Sequence, residues 1–274
     1  MVLLPRFLAR ICATFVFGVT MSACSQTPAT YSLVNLGDSF SAGVGAGGVT
    51  QSPVVPDCLH GEGPDHISEL DNHPRVEVIL NAACSGLDSA AISAVVDRPE
   101  VNEALSRAEV VTLTIGGNDV AWVQTILACS TFGSEDACET AILDVSTSIA
   151  AAAQAAGTTV EKIADVGSGR ILVLGYPHLI DPAPGTLPVT TARAAQVNAL
   201  TDELNAALRA SVESKGATFI DVTDRFAGHG LGSAEPWINL DLSNFSDSNN
   251  LHPTQDGYLL GYLPALMAEL GIQE

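Results

Sequence analysis

The sequence alternates short apolar runs with longer stretches of helical periodicity, and this alternation constrains the fold more than any other feature. The apolar runs are mostly rich in β-branched residues, which is typical of buried strands. Strands that alternate with helices predict βαβ units and a mainly parallel sheet covered on both faces. We therefore expect one α/β domain, an α/β/α sandwich, over residues 31–274. The predicted strands are residues 32–36, 76–80, 110–115, 171–174 and 218–220, and the predicted helices are residues 87–96, 120–128, 139–164, 191–214 and 254–270.

The first 23 residues have the pattern of a secretory signal peptide. Arg6 and Arg10 give it a positive start, residues 11–19 are apolar, and small residues lead up to Cys24. A cysteine directly after small residues resembles a bacterial lipobox, in which the thiol is lipidated; the alternative is an ordinary signal cleaved nearby. Residues 24–30 then form a lipidated N-terminus and a polar tether. We expect an exported protein, either secreted or held at the cell envelope only through Cys24.

The chain is strongly acidic. Acidic residues outnumber basic ones by 31 to 11, which gives a formal net charge of −20. Such a charge repels nucleic acid and anionic lipid headgroups and favours solubility outside the cell. We expect no nucleic-acid partner and a chain that acts as a monomer.

Four cysteines lie in the predicted domain and imply disulfides, because the chain has an export signal. Four cysteines allow three connectivities. Pairing neighbours along the chain gives Cys58–Cys84 and Cys129–Cys138. No cluster of cysteine and histidine has metal-ligand spacing, so we expect no metal.

Residues that suit nucleophilic catalysis follow several of the predicted strands. Ser39 lies in "GDSFSAG" after the first strand, Gly86 in "CSGLDS" after the second, and Asn118 in "GGND" after the third. His252 precedes a proline near the C-terminus. Because ligands bind beyond the carboxyl ends of parallel strands, we expect these residues to meet at one sheet edge. A serine nucleophile needs a base and donors for the oxyanion, and this set contains both.

This ordered set resembles the SGNH hydrolases, the GDSL family of esterases and lipases. "GDSFSAG" looks like the first block, with Ser39 as nucleophile and Phe40 where leucine is usual. Gly86 matches the oxyanion glycine of the second block, Asn118 the donor of the third, and His252 the base of the last. The cysteine layout is similar to that of secreted actinobacterial esterases. The resemblance implies a flavodoxin-like α/β/α fold and ester hydrolysis through an acyl-enzyme without a cofactor. It also implies an oxyanion hole formed by Ser39, Gly86 and Asn118.

The sequence departs from the family at the residue that orients the base. Aspartate is usual three residues before the histidine, and Asn249 occupies that position here. Some relatives use a backbone carbonyl instead, which still fixes the tautomer. We therefore predict a Ser39–His252 dyad oriented by the main chain of Asn249, with Asp247 as the alternative orienter.

The substrate class follows less directly from the sequence. Only 5% of the residues are aromatic, whereas sugar sites usually display aromatic platforms, so we favour lipid acyl esters or small-molecule esters. The alternatives are a carbohydrate O-acetylesterase and a lipid-anchored binding relative without catalysis. Residues 176–188 and the loop around Trp237 are long and apolar, which fits either the lining of the acyl pocket or packed surface loops.

Overall fold

The computed structural model describes residues 30–181, 187 and 189–273; the predicted signal, Cys24 and most of the tether lie outside these residues. A central sheet has five parallel strands in the order β4-β1-β5-β6-β7. Its strands are β1 (Tyr31–Gly37), β4 (Val76–Asn81), β5 (Val110–Thr114), β6 (Arg170–Leu174) and β7 (Thr218–Ile220). A separate antiparallel hairpin consists of β2 (Val49–Gln51) and β3 (Leu59–Gly61). The parallel α/β fold predicted from the alternation is therefore the fold of this chain.

The position of β5 in the sheet explains why its sequence does not alternate between polar and apolar residues. It lies between β1 and β6 in the centre of the sheet, and all five of its residues are buried. A strand covered on both faces has no exposed side and therefore no alternation of polar and apolar residues. The carboxyl ends of β1, β5 and β6 consequently lie side by side at one sheet edge.

Helices cover the sheet in two layers. α2, α5 and α6 pack together in one layer, and α1 packs against α7 in the other. The helices are α1 (His66–Asp71), α2 (Ser89–Val96), α3 (Pro99–Leu105), α4 (Trp122–Cys129), α5 (Glu135–Val166), α6 (Thr191–Glu213) and α7 (Leu263–Leu270). None of the helices in the described ranges has the length and hydropathy of a membrane span.

Several elements differ from the sequence prediction for local reasons. α1 and α3 were not predicted, because six and seven residues are too few to show a helical period. α5 begins at Glu135 rather than residue 139, since the Ser134 hydroxyl accepts a hydrogen bond from Ala137 N at 3.1 Å and caps the helix. The last helix opens with a π-helical segment, Gly257–Tyr262, before α7.

Two disulfides brace the loops at the two sides of the carboxyl edge. Cys58 pairs with Cys84, which joins the start of β3 to the turn after β4. Cys129 pairs with Cys138, which joins the end of α4 to the first turns of α5. This is the neighbour pairing predicted from the sequence, and it agrees with an exported chain. The buried hydrophobic residues of the described part run from Leu33 to Ile272.

Candidate active site

The turn that carries Ser39 is held tightly against the end of β5. Gly37 ends β1 with φ +114°, and a Cβ there would approach Thr114 O to 2.5 Å, so only glycine fits. Asp38 N donates to Thr114 O at 3.2 Å. Ser41 N donates to Thr114 Oγ1 at 3.0 Å, and Thr114 N donates to Ser41 Oγ at 2.7 Å. These bonds fix Ser39 at the carboxyl edge.

Ser39 and His252 are in direct contact. Ser39 Oγ lies 2.6 Å from His252 Nε2, and His252 Nδ1 lies 2.9 Å from the carbonyl oxygen of Asn250. A carbonyl only accepts, so Nδ1 carries the proton and Nε2 presents its lone pair to the serine hydroxyl. Leu251, between the two loop residues, has a left-handed backbone with φ +64°, which turns the chain back toward the ring. The geometry is that of a nucleophile and its base.

The orienting carbonyl belongs to Asn250, so the placement of this role on Asn249 is corrected by one residue. The carbonyl of Asn249 instead accepts from His252 backbone N at 3.2 Å. Its side-chain Oδ1 accepts from Gly45 N at 3.1 Å and ties this loop to the glycine-rich one. Asp247, the alternative orienter, accepts from Asn249 N at 2.9 Å and shapes the turn. A main-chain orienter is thus present, and the carboxylate is used elsewhere.

Asn239 holds the histidine loop from the other side, and sequence reasoning missed it. Its backbone N donates to His252 O at 2.8 Å, and its carbonyl accepts from Leu251 N at 2.8 Å. Its side-chain Nδ2 donates to Gly45 O at 3.1 Å. No sequence motif marks this residue, because its partners are distant in the chain.

The predicted oxyanion donors lie on two adjacent turns. Asn118 is on a single 3-10 turn, Gly117–Asp119, and its Nδ2 donates to Leu87 O at 2.9 Å. One amide hydrogen of Asn118 is used in this way, and the second has no acceptor within the described part of the chain. Gly86 has φ +83° in the neighbouring turn. Among the described residues, the backbone N–H groups of Ser39 and Gly86 donate to no protein acceptor.

Asp119, the last residue of "GGND", has a structural role. Its Oδ2 accepts from Ser89 N at 3.0 Å and from Ser89 Oγ at 2.8 Å at the start of α2. This pair connects the turn of Asn118 to the helix that follows Gly86. The acidic residue therefore fixes the relative position of the two predicted donors.

A buried hydrogen-bond network lies next to the nucleophile turn. Tyr176 Oη donates to Asp38 Oδ2 at 2.5 Å and accepts from Gly117 N at 2.9 Å. Asp38 Oδ1 accepts from Thr114 Oγ1 at 2.6 Å and from Phe40 N at 3.0 Å. A Cβ on Gly117 would approach the Tyr176 ring to 2.8 Å, which explains the second glycine of "GGND". The phenol supports the nucleophile turn and the turn of Asn118, and this role was not predicted.

Burial sets the protonation states of these groups. It lowers the pKa of His252 to about 4, with the loop carbonyls opposing the shift, so the imidazole is neutral and able to accept a proton near pH 7. Burial also raises the pKa of Asp38, while hydrogen bonds from Thr114 and Tyr176 oppose the rise. The pKa of Tyr176 is raised well above 10 by burial and then by the charge of Asp38. The phenol therefore remains a donor.

Comparison with known proteins identifies the family. The model of the GDSL-like Lipase/Acylhydrolase family matches residues 36–260. This chain belongs to that family. The earlier resemblance is confirmed, and the chain is an ester hydrolase of the GDSL type.

Relatives of known name are similar over most of their length. A lipase of Streptomyces rimosus is 29% identical over 260 residues, which cover 93% of this chain and 92% of the lipase. The crystal structure of the extracellular lipase from Streptomyces rimosus has a TM-score of 0.75 at 27% identity, covering 87% of this chain and 99% of the other. That of phospholipase A1 from Streptomyces albidoflavus NA297 has a TM-score of 0.74 at 25% identity, covering 88% and 99%.

A cavity of about 100 Å³ lies beside Ser39 and His252 of this GDSL hydrolase. Ser39, Asn118 and His252 line it together with apolar residues, which places three of the four predicted site residues at one pocket. Gly86 is not among the described residues that line it. Trp237 stacks on His229 and lines neither this cavity nor the next. The remaining lining residues are Asp38, Phe40, Gly117, Trp122, Val123, Tyr176, Pro177, Leu179, Thr201, Asn250 and Leu251.

A larger groove of about 260 Å³ adjoins the first cavity, and His252 lines both. One part of the lining is α4, which contributes Val123, Ile126 and Leu127, followed by its C-cap residue Ser130. Their spacing of i, i+3, i+4 and i+7 places them on one helical face about 10 Å long. The segment 240–252 also contributes to the lining. We call this feature the α4 groove. The predicted segment 176–188 contributes Ile180 and Leu187 to its lining, whereas the contributions of α4 and of the segment 240–252 were not predicted.

Long-range contacts hold α4 in place. The Cys129–Cys138 disulfide ties its last turn to α5, and Arg193 on α6 donates from Nη1 to Ser130 O at 2.8 Å. A cation at the carboxyl end of a helix satisfies free carbonyls and complements the helix dipole. In the described part of the chain, no three His, Cys, Asp or Glu side chains are grouped as metal ligands.

Proposed function

We propose that Ser39 and His252 hydrolyse carboxylic esters of lipid acyl chains through an acyl-enzyme. His252 Nε2 removes the proton from Ser39 Oγ as the oxygen attacks the ester carbonyl, and then delivers it to the leaving alcohol. A water molecule then attacks the acyl-enzyme with His252 as the base, which releases the carboxylic acid and restores the Ser39 hydroxyl. The N–H groups of Ser39 and Gly86 and the amide of Asn118 stabilise the oxyanion. The observation that carries this proposal is the 2.6 Å contact between Ser39 Oγ and His252 Nε2.

The α4 groove favours an acyl chain over a sugar as the group next to the dyad. Its lining is dominated by leucine, isoleucine, valine and phenylalanine, and it begins at His252. An extended chain advances about 1.2 Å per bond, so the 10 Å face of α4 accommodates about eight methylenes. A carbohydrate O-acetylesterase has no use for such a groove, because its acyl group has two carbons.

The test is hydrolysis of p-nitrophenyl esters from acetate to palmitate by the wild type and two variants. Ser39→Ala and His252→Ala are each expected to lower kcat by on the order of 10⁴-fold with the fold retained by circular dichroism. Octanoate and longer esters are expected to have a higher kcat/KM than acetate. Substantial activity in folded Ser39→Ala would reject the nucleophile, and a preference for acetate would reject the acyl-chain substrate.

We also propose that the chain is exported and lipidated at Cys24. The signal pattern and small residues before Cys24 support this, as do the two disulfides. Mass spectrometry of the N-terminus of membrane-bound protein, with Cys24→Ser as the unlipidated control, tests it. Wild-type protein found only in the culture medium with an unmodified N-terminus would contradict the anchor.

A further inference from the structure

The exposed apolar surface of the described residues is concentrated around the α4 groove. Of seven exposed large apolar side chains, five line this groove. We call these five the rim; they are Val123, Leu127, Phe132, Leu242 and Phe245. Phe132 is 77% exposed and Phe245 55%, although both are large enough to form a core. A contiguous exposed apolar patch of this kind marks an interaction site rather than ordinary surface variation.

The two phenylalanines of the rim come from different segments of the groove's lining. Phe132 follows the end of α4, and Phe245 lies in the segment 240–252 that carries the histidine loop. The groove runs from the rim to His252, which contacts the nucleophile. Any protein partner held permanently on the rim would therefore cover the groove that leads to the dyad. A lipid surface contacts the same side chains and also supplies acyl chains to the groove.

The charges around the rim select the kind of surface. Residues 121–134 and 240–252, which carry it, contain no lysine or arginine, and Asp241 and Asp247 lie in the second segment. Arg193 contacts the end of α4, but its Nη1 donates to the carbonyls of Cys129 and Ser130. Anionic lipids attract proteins mainly through basic residues, so these two segments offer them no attraction, and the net charge of −20 repels them. The rim therefore matches a lipid surface whose interior is apolar and whose headgroups carry no net charge.

We propose that the rim docks on a lipid surface of zero net charge, with Phe132 and Phe245 inserted among the acyl chains. The strength of such docking increases with the apolar area buried at the interface, and no basic residues are needed. It goes beyond ester hydrolysis, since binding to the surface requires neither Ser39 nor the dyad. It also differs from anchoring through Cys24, which uses a covalent lipid outside the domain.

The experiment measures co-sedimentation with phosphatidylcholine and with phosphatidylglycerol vesicles. All proteins begin at Ser25, which removes the signal and Cys24 but retains the whole described core, and all carry Ser39→Ala so that the lipid stays intact. This protein is expected to bind phosphatidylcholine vesicles. Adding Phe132→Ser and Phe245→Ser is expected to lower the partition coefficient by about tenfold or more.

Leu143→Ser and Leu260→Ser form the matched control, because both leucines are exposed but lie outside the groove. This control is expected to bind like its parent. Absent binding to phosphatidylcholine, binding to phosphatidylglycerol alone, or equal loss in the control would overturn the proposal. So would a dimer in sedimentation velocity that the two phenylalanine substitutions dissociate, since the rim would then hold a second copy. Failure of ester hydrolysis leaves these measurements unaffected.

Discussion

The hydroxyl of Tyr176 donates to Oδ2 of Asp38 at a distance of 2.5 Å and also accepts from Gly117 N at 2.9 Å. Asp38 follows β1, Gly117 follows β5, and Tyr176 follows β6. These strands are adjacent in the sheet, so one buried phenol links the carboxyl ends of three neighbouring strands. The nucleophile turn and the turn of Asn118 are therefore positioned against each other by a residue outside both motifs.

The first prediction concerns Tyr176→Phe. The change keeps the ring but removes the hydrogen bonds that Tyr176 makes to Asp38 Oδ2 and to Gly117 N, which is expected to lower stability by about 1–3 kcal/mol. Because Ser39 and Asn118 lose their common support, we expect kcat to fall by roughly ten- to a hundredfold while KM changes little. Steady-state kinetics on p-nitrophenyl butyrate and urea unfolding measure the two effects.

Tyr31→Phe is the matched control for this prediction. The Tyr31 hydroxyl donates to Leu270 O at 3.1 Å, at the opposite end of β1 from the dyad. Its loss removes one phenol hydrogen bond without touching the site, so kcat should stay at the wild-type value. A Tyr176→Phe enzyme that loses stability but keeps its kcat would show that the phenol is only structural.

The second prediction tests which group orients the base. The Nδ1 proton of His252 is directed to the Asn250 carbonyl, which no side-chain substitution removes. Asp247→Asn is therefore expected to lower kcat/KM by less than about tenfold, far from the roughly 10⁴-fold loss when a triad aspartate is made asparagine. Asn249→Ala is expected to be mild for the same reason. A collapse in Asp247→Asn comparable to that of His252→Ala would identify an ordinary triad.

What the sequence could predict depends on whether the signal is local. Ser39, Asn118 and His252 lie at strand ends or in short motifs, so their chain positions already indicate their place at the sheet edge. The Nδ1 partner was misplaced by one residue because it depends on the left-handed backbone at Leu251, which favours glycine and is not expected at leucine. The role of Tyr176 could not be predicted from a local motif, because its hydrogen-bond partners lie 59 and 138 residues away.

The α4 groove was missed for a related reason. Val123, Ile126 and Leu127 form a helical stripe that is typical of a face packed on the core. In the structure, Val123 and Leu127 are exposed, and α4 buries Thr125 and Cys129 instead. Periodicity predicts that a helix has an apolar face, but only the tertiary structure shows what that face contacts.

The third prediction is that Asn118→Ala lowers kcat by roughly 10²–10³ with little change in KM, as expected for a donor that acts mainly in the transition state. The substitution also removes the hydrogen bond to Leu87 O. Asp119→Asn is a useful comparison, because it weakens the neighbouring link to Ser89 but leaves the amide in place. The kinetics are measured on one short-chain ester. An effect confined to KM would make Asn118 a substrate-binding residue.

The fourth prediction concerns acid stability and begins with His66. Its side chain is fully buried, stacks on Tyr258 with ring centroids 5.2 Å apart, and has no hydrogen-bond partner for either ring nitrogen within the described residues. Burial lowers the pKa of His66 to about 4, while the nearby charge of Asp65 opposes the shift. In the unfolded chain the pKa of a histidine is about 6.5.

Between these two values the unfolded state binds more protons than the folded state, so the free energy of unfolding falls as the pH is lowered from about 6.5 to 4. Above pH 6.5 His66 is neutral in both states, so its titration no longer lowers the free energy of unfolding. His66→Phe removes this proton uptake and places an apolar ring against Tyr258, so we expect the variant to lose about 2 kcal/mol less than the wild type between pH 7 and pH 5. Urea unfolding at both pH values measures this difference, and the titration of His252, present in both proteins, cancels in the comparison. Parallel losses in the two proteins would show that His66 is not the group that destabilises the fold in acid.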